Sequence, residues 1–372
     1  MSASEAEAHA LAAARGFQLS GAPTRVSRLG SGHIHDTFAV YCDDSSEPDA
    51  VLQRINPTVF PEPRLVVENV AKIAEHLRAG LPDGDDAARR SLRPIESLAG
   101  GPAYEQASGV WRAFAFVSRT HSLDTVDTPQ RARAAARAFG AFAAALADFP
   151  HALRDSIPGF HDFAARRLAF ETAVSEDRLS RAPAARETIE WLRDGVERLA
   201  VALPNAALDA LPVRWVHNDC KINNLLFDLA SDEALCVIDL DTVMRGTVLA
   251  DFGDLVRTAV SRAPEDARDP DSVRPDPALY EALSAGYLEG AGGMLTTPEI
   301  DLLALAGPLI TLETGLRFAT DHLCGDRYFR ISREGQNLDR ARSQARLALR
   351  LLEDEPVART RIQQLARAIR AT

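Results

Sequence analysis

A chain of 372 residues, 46% hydrophobic and 26% charged, is long enough to bury two adjoining cores, while its net charge of -11 excludes broad binding to nucleic-acid phosphates, which depends on clustered Lys and Arg. No apolar run approaches the roughly 18 residues of a membrane helix. The acidic start MSASEAEAHALAAARGF lacks the basic front and apolar centre of an export signal, so a cytoplasmic protein without a membrane partner is expected.

Residues 24–56 hold the strand-like runs RVSRLG, SGHIHDTFAVY and AVLQRI, with the polar turn Asp43 to Ser46 before the last, a hairpin pattern. Gly30, Ser31 and Gly32 lie in the bend ahead of the second run, where backbone N–H groups would cover the phosphates of a nucleotide. His35 stands where a third glycine would complete G-x-G-x-x-G. Arg54 closes the third run where, by resemblance to the V-A-I-K strand of protein kinases, a phosphate-binding lysine would stand, and Arg binds phosphate bidentately. Gln53 competes for that contact. In the next segment Val67, Val70, Ile73, Ala74 and Leu77 share one face of a helix that Gly80 and Pro82 end. Its Glu68 is the expected partner of Arg54, a surface ion pair being the alternative.

VWRAFAFV, residues 110–117, reads as a further strand leading into the polar SRTHSLDTVDTP. This resembles the hinge between the two lobes of a protein kinase, where backbone groups of Phe116, Val117 and Ser118 would meet an adenine ring. Helix begins near Gln130, with Ala135, Phe139, Phe142 and Leu146 on its buried face. Residues 162–202 continue as helix broken at Ala182-Pro183, and 263–277 is an exposed loop rich in Pro and Asp.

Between these helices lies WVHNDCKINNLLFD, Trp215 to Asp228, followed by CVIDLD, Cys236 to Asp241. Asp219 and Asn224 stand five apart, the spacing of the H-R-D-L-x-x-x-N loop in which an Asp receives a hydroxyl proton and an Asn holds magnesium. Phosphoryl transfer needs little covalent help, so a carboxylate, an amide ligand and a second carboxylate from a neighbouring strand suffice. The apolar run 234–238 supplies that strand and delivers Asp239 as the second metal ligand, with Asp241 in reserve. Lys221 is placed to reach the transferring phosphate, and His217 to brace the loop. Asp251-Phe252-Gly253 spells DFG but opens a helix, so Asp251 is expected to cap that helix and brace the catalytic loop. Cys42, Cys220, Cys236 and Cys324 are scattered without a C-x-x-C pair, which argues for neither zinc nor disulfides. Cys220, beside Asp219, is a candidate for inhibition by thiol reagents. Farther on, Glu313, Arg317 and Asp321 share one face of an apolar helix, either as a buried network or as the wall of a polar pocket.

These segments resemble the aminoglycoside phosphotransferase and choline kinase superfamily, and within it the N-acetylhexosamine 1-kinases, in LGSGHIHDTF, VLQRIN, WRAFAFV, HNDCKINNLLFD, VIDLDTVMRG and ETGLRFATDHLCGDRYF. The resemblance implies an α+β, protein-kinase-like fold. Residues 1–113 would form an antiparallel-sheet nucleotide lobe, 114–122 the hinge and 123–372 a mainly helical catalytic lobe. It further implies an ATP- and Mg2+-dependent kinase acting on a sugar, most closely the anomeric hydroxyl of an N-acetylhexosamine, with Arg317 and Tyr328 touching the sugar. Plain core packing is the alternative for Tyr328. Kinases for aminoglycosides, choline or homoserine, and a nucleotide-binding pseudokinase, are the competing readings. A monomer is expected.

Overall fold

The computed structural model describes residues 3–30, 34–81 and 87–371. Helix α1 (Ala3–Ala14) lies against a sheet built from β1 (Pro23–Arg28), β2 (Asp36–Cys42) and β3 (Ala50–Arg54). Pro63 then starts α2 (Pro63–Ala79), whose Val66, Val67, Val70 and Ile73 are buried, and the short α3 (Ala87–Arg90) precedes β4 (Pro94–Ile95), β5 (Tyr104–Gln106) and β6 (Gly109–Ala115). The strands run β1-β2-β3-β6-β4, with β5 also on β6, and every pair is antiparallel.

Strand alternation gives this sheet two faces with different duties. Phe38, Val40, Leu52, Trp111 and Ala113 pack under α1 with Ala6, Ala10, Ala13 and Phe17. The opposite face carries the rung Thr37, Gln53 and Arg112, in register across β2, β3 and β6. That face looks toward the second part of the chain.

The second part starts with β7 (Thr120–His121) and α4 (Pro129–Ala145), whose Thr128 cap accepts the Arg131 N–H. Helices α5 (Phe163–Glu176), α6 (Arg186–Ala202) and α7 (Asn205–Asp209) lead to β8 (Arg214–Val216), β9 (Leu225–Asp228), β10 (Ala234–Val237) and β11 (Met244–Gly246). Two small sheets result, β10-β9-β7 and β11-β8, and they frame the loop between β8 and β9. Helices α8 (Val248–Ala259), α9 (Pro277–Ala291), α10 (Thr297–Leu323) and α11 (Gln336–Arg370) complete the chain. The crossing of α4 with α9 is close enough that a Cβ on Gly286 or Gly290 would fall about 2 Å from the carbonyl oxygens of Arg133 and Arg137. Only glycine fits those two positions.

The antiparallel-sheet N-terminal region and helical C-terminal part agree with the expected fold class. Two elements depart from the sequence reading. Helix α10 is long and apolar enough to cross a membrane by length and composition, yet 83% of its most apolar window is buried among the other helices. Its capping box, Thr296 with Glu299, is closed further by the Arg214–Glu299 ion pair. The 35-residue α11, not anticipated, packs along α10.

Candidate active site

Asp251 organises the catalytic loop from below. Its two carboxylate oxygens accept the backbone N–H groups of His217 and Asn218 at 3.0 and 2.7 Å. It sits in the first turn of α8, four residues past the Thr247 cap, so the expected capping role is corrected while the bracing role is observed. Asn218 takes a left-handed φ of 65°, secured by its amide donating to the Val216 and Thr242 carbonyls. His217 is fully buried between Phe139 and Phe142. Its Nδ1 accepts the Asp219 N–H, so Nε2 carries the proton and donates to the Ile238 carbonyl. A ring with both nitrogens engaged is a brace, not a base.

Asn224 is fixed by the same logic. Its Nδ2 donates to the Asp219 carbonyl and to Asp219 Oδ2 at 2.8 and 2.9 Å, and its Oδ1 has no partner among the described residues. The Asn224 carbonyl receives the Ile238 N–H, so Ile238 is tied to both His217 and Asn224. Asp239 follows at once with a left-handed φ of 61° and ψ of 53°, a conformation that Asp tolerates better than most residues. Lys221 Nζ lies 2.6 Å from Asp219 Oδ1. Thus Asp219, Lys221, Asn224 and Asp239 come together.

Their charges differ sharply. Burial works against ionising Asp219, but Lys221, His217 and Asn224 prevail and hold its carboxyl below the usual range. Asp239 is pushed up by burial and by the neighbouring charges of Asp241 and Asp219, and it has no hydrogen-bond partner among the described residues. A carboxylate destabilised by other carboxylates, beside a free amide oxygen, is a hard-oxygen site wanting a cation. Among the described residues no three His, Cys, Asp or Glu side chains form a metal cage. Magnesium fits that pattern, since it is held by one or two protein ligands with phosphates and water completing the shell.

Asp241 has another role than reserve ligand. Arg112 holds both its oxygens, and His35 Nε2 donates to Oδ2 at 2.6 Å. His35 Nδ1 accepts the Asn56 N–H, which fixes that tautomer, and its ring stacks on Phe60. This buried trio joins the sheet to the catalytic half and drives the Asp241 carboxyl far down, the arginine and histidine outweighing burial.

The nucleotide-side expectations divide. Gly30 has the positive φ of 72° of a turn glycine, whereas Ser31 and Gly32 lie outside the described residues. Arg54 is corrected: it shares the α1 face with Leu52, pairs with Asp36 and donates to the Ser108 carbonyl. Glu68 is exposed and shows no contact with Arg54; Arg64 is the cation that feels its charge. The cation on the inner face is Arg112, bonded to Gln53, which in turn bonds to Thr37. Strand parity held that signal, because an arginine inside WRAFAFV must meet a counter-ion if the strand is buried. At the junction, the Phe116 N–H bonds to Asp49, while the Val117 and Ser118 carbonyls accept from Thr120 and Arg89. The Phe116 carbonyl and Ser118 N–H have no partner among the described residues. One acceptor and one donor two residues apart are what an adenine edge requires.

The charged stripe of α10 also divides. Glu313 pairs with His161 Nδ1 at 3.0 Å, and His161 Nε2 donates to the Asn218 carbonyl at 3.1 Å. Both ring nitrogens therefore donate, and the His161 pKa is raised, Glu313 and Asn218 outweighing burial. Asp321 is structural, accepting the N–H groups of Arg327, Tyr328 and Phe329 and the Asn337 amide. Arg317 and Tyr328 meet at the wall of a cavity of about 420 Å³, Tyr328 being 64% exposed and not core. Cys220 is fully buried with its thiol pushed well up by burial and nearby carboxylates, so the expectation of a reagent-sensitive thiol is corrected.

Fold and site together define a phosphotransferase acting on a hydroxyl acceptor. The chain belongs to the phosphotransferase enzyme family, which it matches over residues 25–296. Its fold is similar to that of a microcompartment-associated aminopropanol kinase, with 16% identity over 94% of this chain and 98% of the other and a TM-score of 0.61. An aminoglycoside phosphotransferase from Alicyclobacillus acidocaldarius shares 14% identity over 97% and 95% of the two chains at a TM-score of 0.55. A spectinomycin phosphotransferase, in complex with ADP and spectinomycin, shares 10% identity over 90% and 94% at 0.53. At these identities the likeness is one of fold.

Proposed function

We propose that this protein transfers the γ-phosphate of ATP to a sugar hydroxyl, the anomeric hydroxyl of an N-acetylhexosamine being the acceptor that its sequence resemblance favours. The observation carrying the reading is the convergence of Asp219, Asn224 and Asp239 at the end of one loop and one strand. Asn224 Oδ1 and the Asp239 carboxylate would hold Mg2+, which supplies neutralisation of phosphate charge when bound. Asp219, kept ionised, orients the acceptor hydroxyl and takes its proton as the bond to phosphorus forms and the bond to the leaving ADP oxygen breaks. Lys221 stands beside it as the cation for the transferring group.

Arg317 weighs against cationic acceptors such as aminoglycosides or choline, because a cationic substrate calls for acids around it. The retained trio weighs against a pseudokinase. A cytoplasmic location, where ATP is supplied, and a role in carbohydrate metabolism belong to the same reading, as does a hinge at 114–122. The test is ADP release with a panel of sugars, amines and antibiotics, followed by phosphorus NMR to locate the new phosphate. Turnover on an N-acetylhexosamine with an anomeric phosphate supports the proposal; turnover confined to amines replaces it with the competing reading.

A further inference from the structure

The cavity that Arg317 and Tyr328 wall carries two positive charges and, among the described residues, no free negative one. Its wall at Ile157 and Pro158 belongs to a segment anchored at both ends to the catalytic machinery. Ser156 donates to the Asp241 carbonyl, and His161 donates to that of Asn218. Arg166 and Arg317 line the same space. Neither lies within ion-pairing distance of a carboxylate among the described residues. Arg166 spends one amino group on the Gly159 and Phe160 carbonyls, while its Nε–H is buried without an acceptor. Arg317 is ringed by Phe160, Tyr328 and Phe329, whose centroids stand 5.6, 5.7 and 5.4 Å from its guanidinium carbon. Rings of this kind hold the orientation of a guanidinium and leave its charge uncancelled. The lining acid, Asp321, has both oxygens filled by three backbone N–H groups and Asn337.

Two guanidinium groups without a carboxylate partner among the described residues, one of them also carrying an unanswered buried Nε–H, line one cavity, and planar forks match carboxylate and phosphate oxygens. We infer that the acceptor carries an anionic group, carboxylate or phosphate, seated between Arg166 and Arg317 while its hydroxyl faces Asp219. This inference rests on the proposed sugar-kinase reading and sets an acidic or already phosphorylated sugar in place of the neutral N-acetylhexosamine that the sequence resemblance favours. The reaction supplying such a substrate would be an oxidation of a sugar to an acid or an earlier phosphorylation.

Glucose, glucuronate and glucose 6-phosphate form a matched set that shares one anomeric hydroxyl. The wild-type protein should show kcat/KM at least about ten-fold higher for one anionic member than for glucose, a ratio equivalent to about 1.4 kcal/mol. The member that wins distinguishes carboxylate from phosphate. In Arg166→Gln that ratio should collapse toward one, and Arg166→Lys should restore part of it, with melting temperatures checked for both variants. Equal or better turnover of glucose by wild type overturns the inference, as does an Arg166→Gln variant that slows both members of a pair alike.

A second readout needs no turnover. Cys324 lines the cavity and is the exposed cysteine, whereas Cys42, Cys220 and Cys236 are buried. Glucuronate or glucose 6-phosphate should slow alkylation of Cys324 at concentrations where glucose does not, and Arg166→Gln should lose that protection. Were no sugar of any charge phosphorylated, the sugar-kinase reading would fall by itself. Protection by an anion would then still support the site, and its absence would remove it.

Discussion

The catalytic loop and the sheet face opposite it are built on different terms. Most bonds that shape the loop are drawn from residues 214–251: Asp251 to His217 and Asn218, His217 and Asn224 to Ile238, Asn224 to Asp219, with His161 adding one from outside to the Asn218 carbonyl. The opposing face is held to the loop by a buried ion trio spanning the chain, Asp241 with Arg112 and His35, 129 and 206 residues away. Two aspartates only two positions apart register the contrast. Asp241 is saturated and its carboxyl lies far down, whereas Asp239 lacks a hydrogen bond among the described residues and is pushed up. One is an anchor, and the other is left for a cation.

Variants separate the two regions. The largest effect falls on the loop: Asp239→Asn should reduce turnover by about 10²–10³-fold, the scale of removing one preorganised electrostatic group, with little change in the urea midpoint. Across the cleft the expectation reverses, and stability changes first. Arg112→Met strands the Asp241 charge and should destabilise the protein by about 3–5 kcal/mol in urea unfolding. Adding Asp241→Leu should recover much of that loss; a double variant as unstable as the sum of the singles would count against a paired trio. Asp251→Ala removes the acceptor of two backbone N–H groups and should cost about 2–3 kcal/mol in the same experiment.

Smaller effects sharpen the contrast further. Arg54→Gln should leave the KM for ATP unchanged and shift stability by less than about 1 kcal/mol, since its ion pair is partly exposed and outside the cleft. A several-fold rise in that KM would return Arg54 to the nucleotide site. His161, whose folded pKa is raised chiefly by Glu313 against burial, contributes stability that is complete below its unfolded pKa near 6.5 and is lost as pH rises through the folded value. The stability gap between wild type and His161→Gln should therefore be widest in acid and narrow in alkali. A gap that widens with pH reverses the assigned sign.

The difference between the regions also explains what could be read from the letters. The loop was legible because its partners are neighbours in sequence, so spacing alone places Asp219, Asn224 and Asp239. The sheet face was not, since Arg54 and Gln53 differ by one step of strand alternation, and only the packing of Leu52 under α1 decides which points inward. His35 and Arg112 meet Asp241 through the fold, a relation no local pattern encodes. Helix α11 escaped notice for a milder reason. Its buried Ala341, Ala345, Ala348 and Leu351 are interspersed with arginines that reach the loop at 265–273.

Whether the loop carboxylate takes part in the transfer is decided by the turnover of Asp219→Asn, measured as ADP release with a productive sugar beside calorimetric binding of ADP. Unimpaired nucleotide binding, an intact melting transition and a rate lowered by about 10²–10⁴-fold are expected. A rate within a few-fold of wild type would contradict the assigned chemistry, because the group at the centre of the loop would then have no part in it.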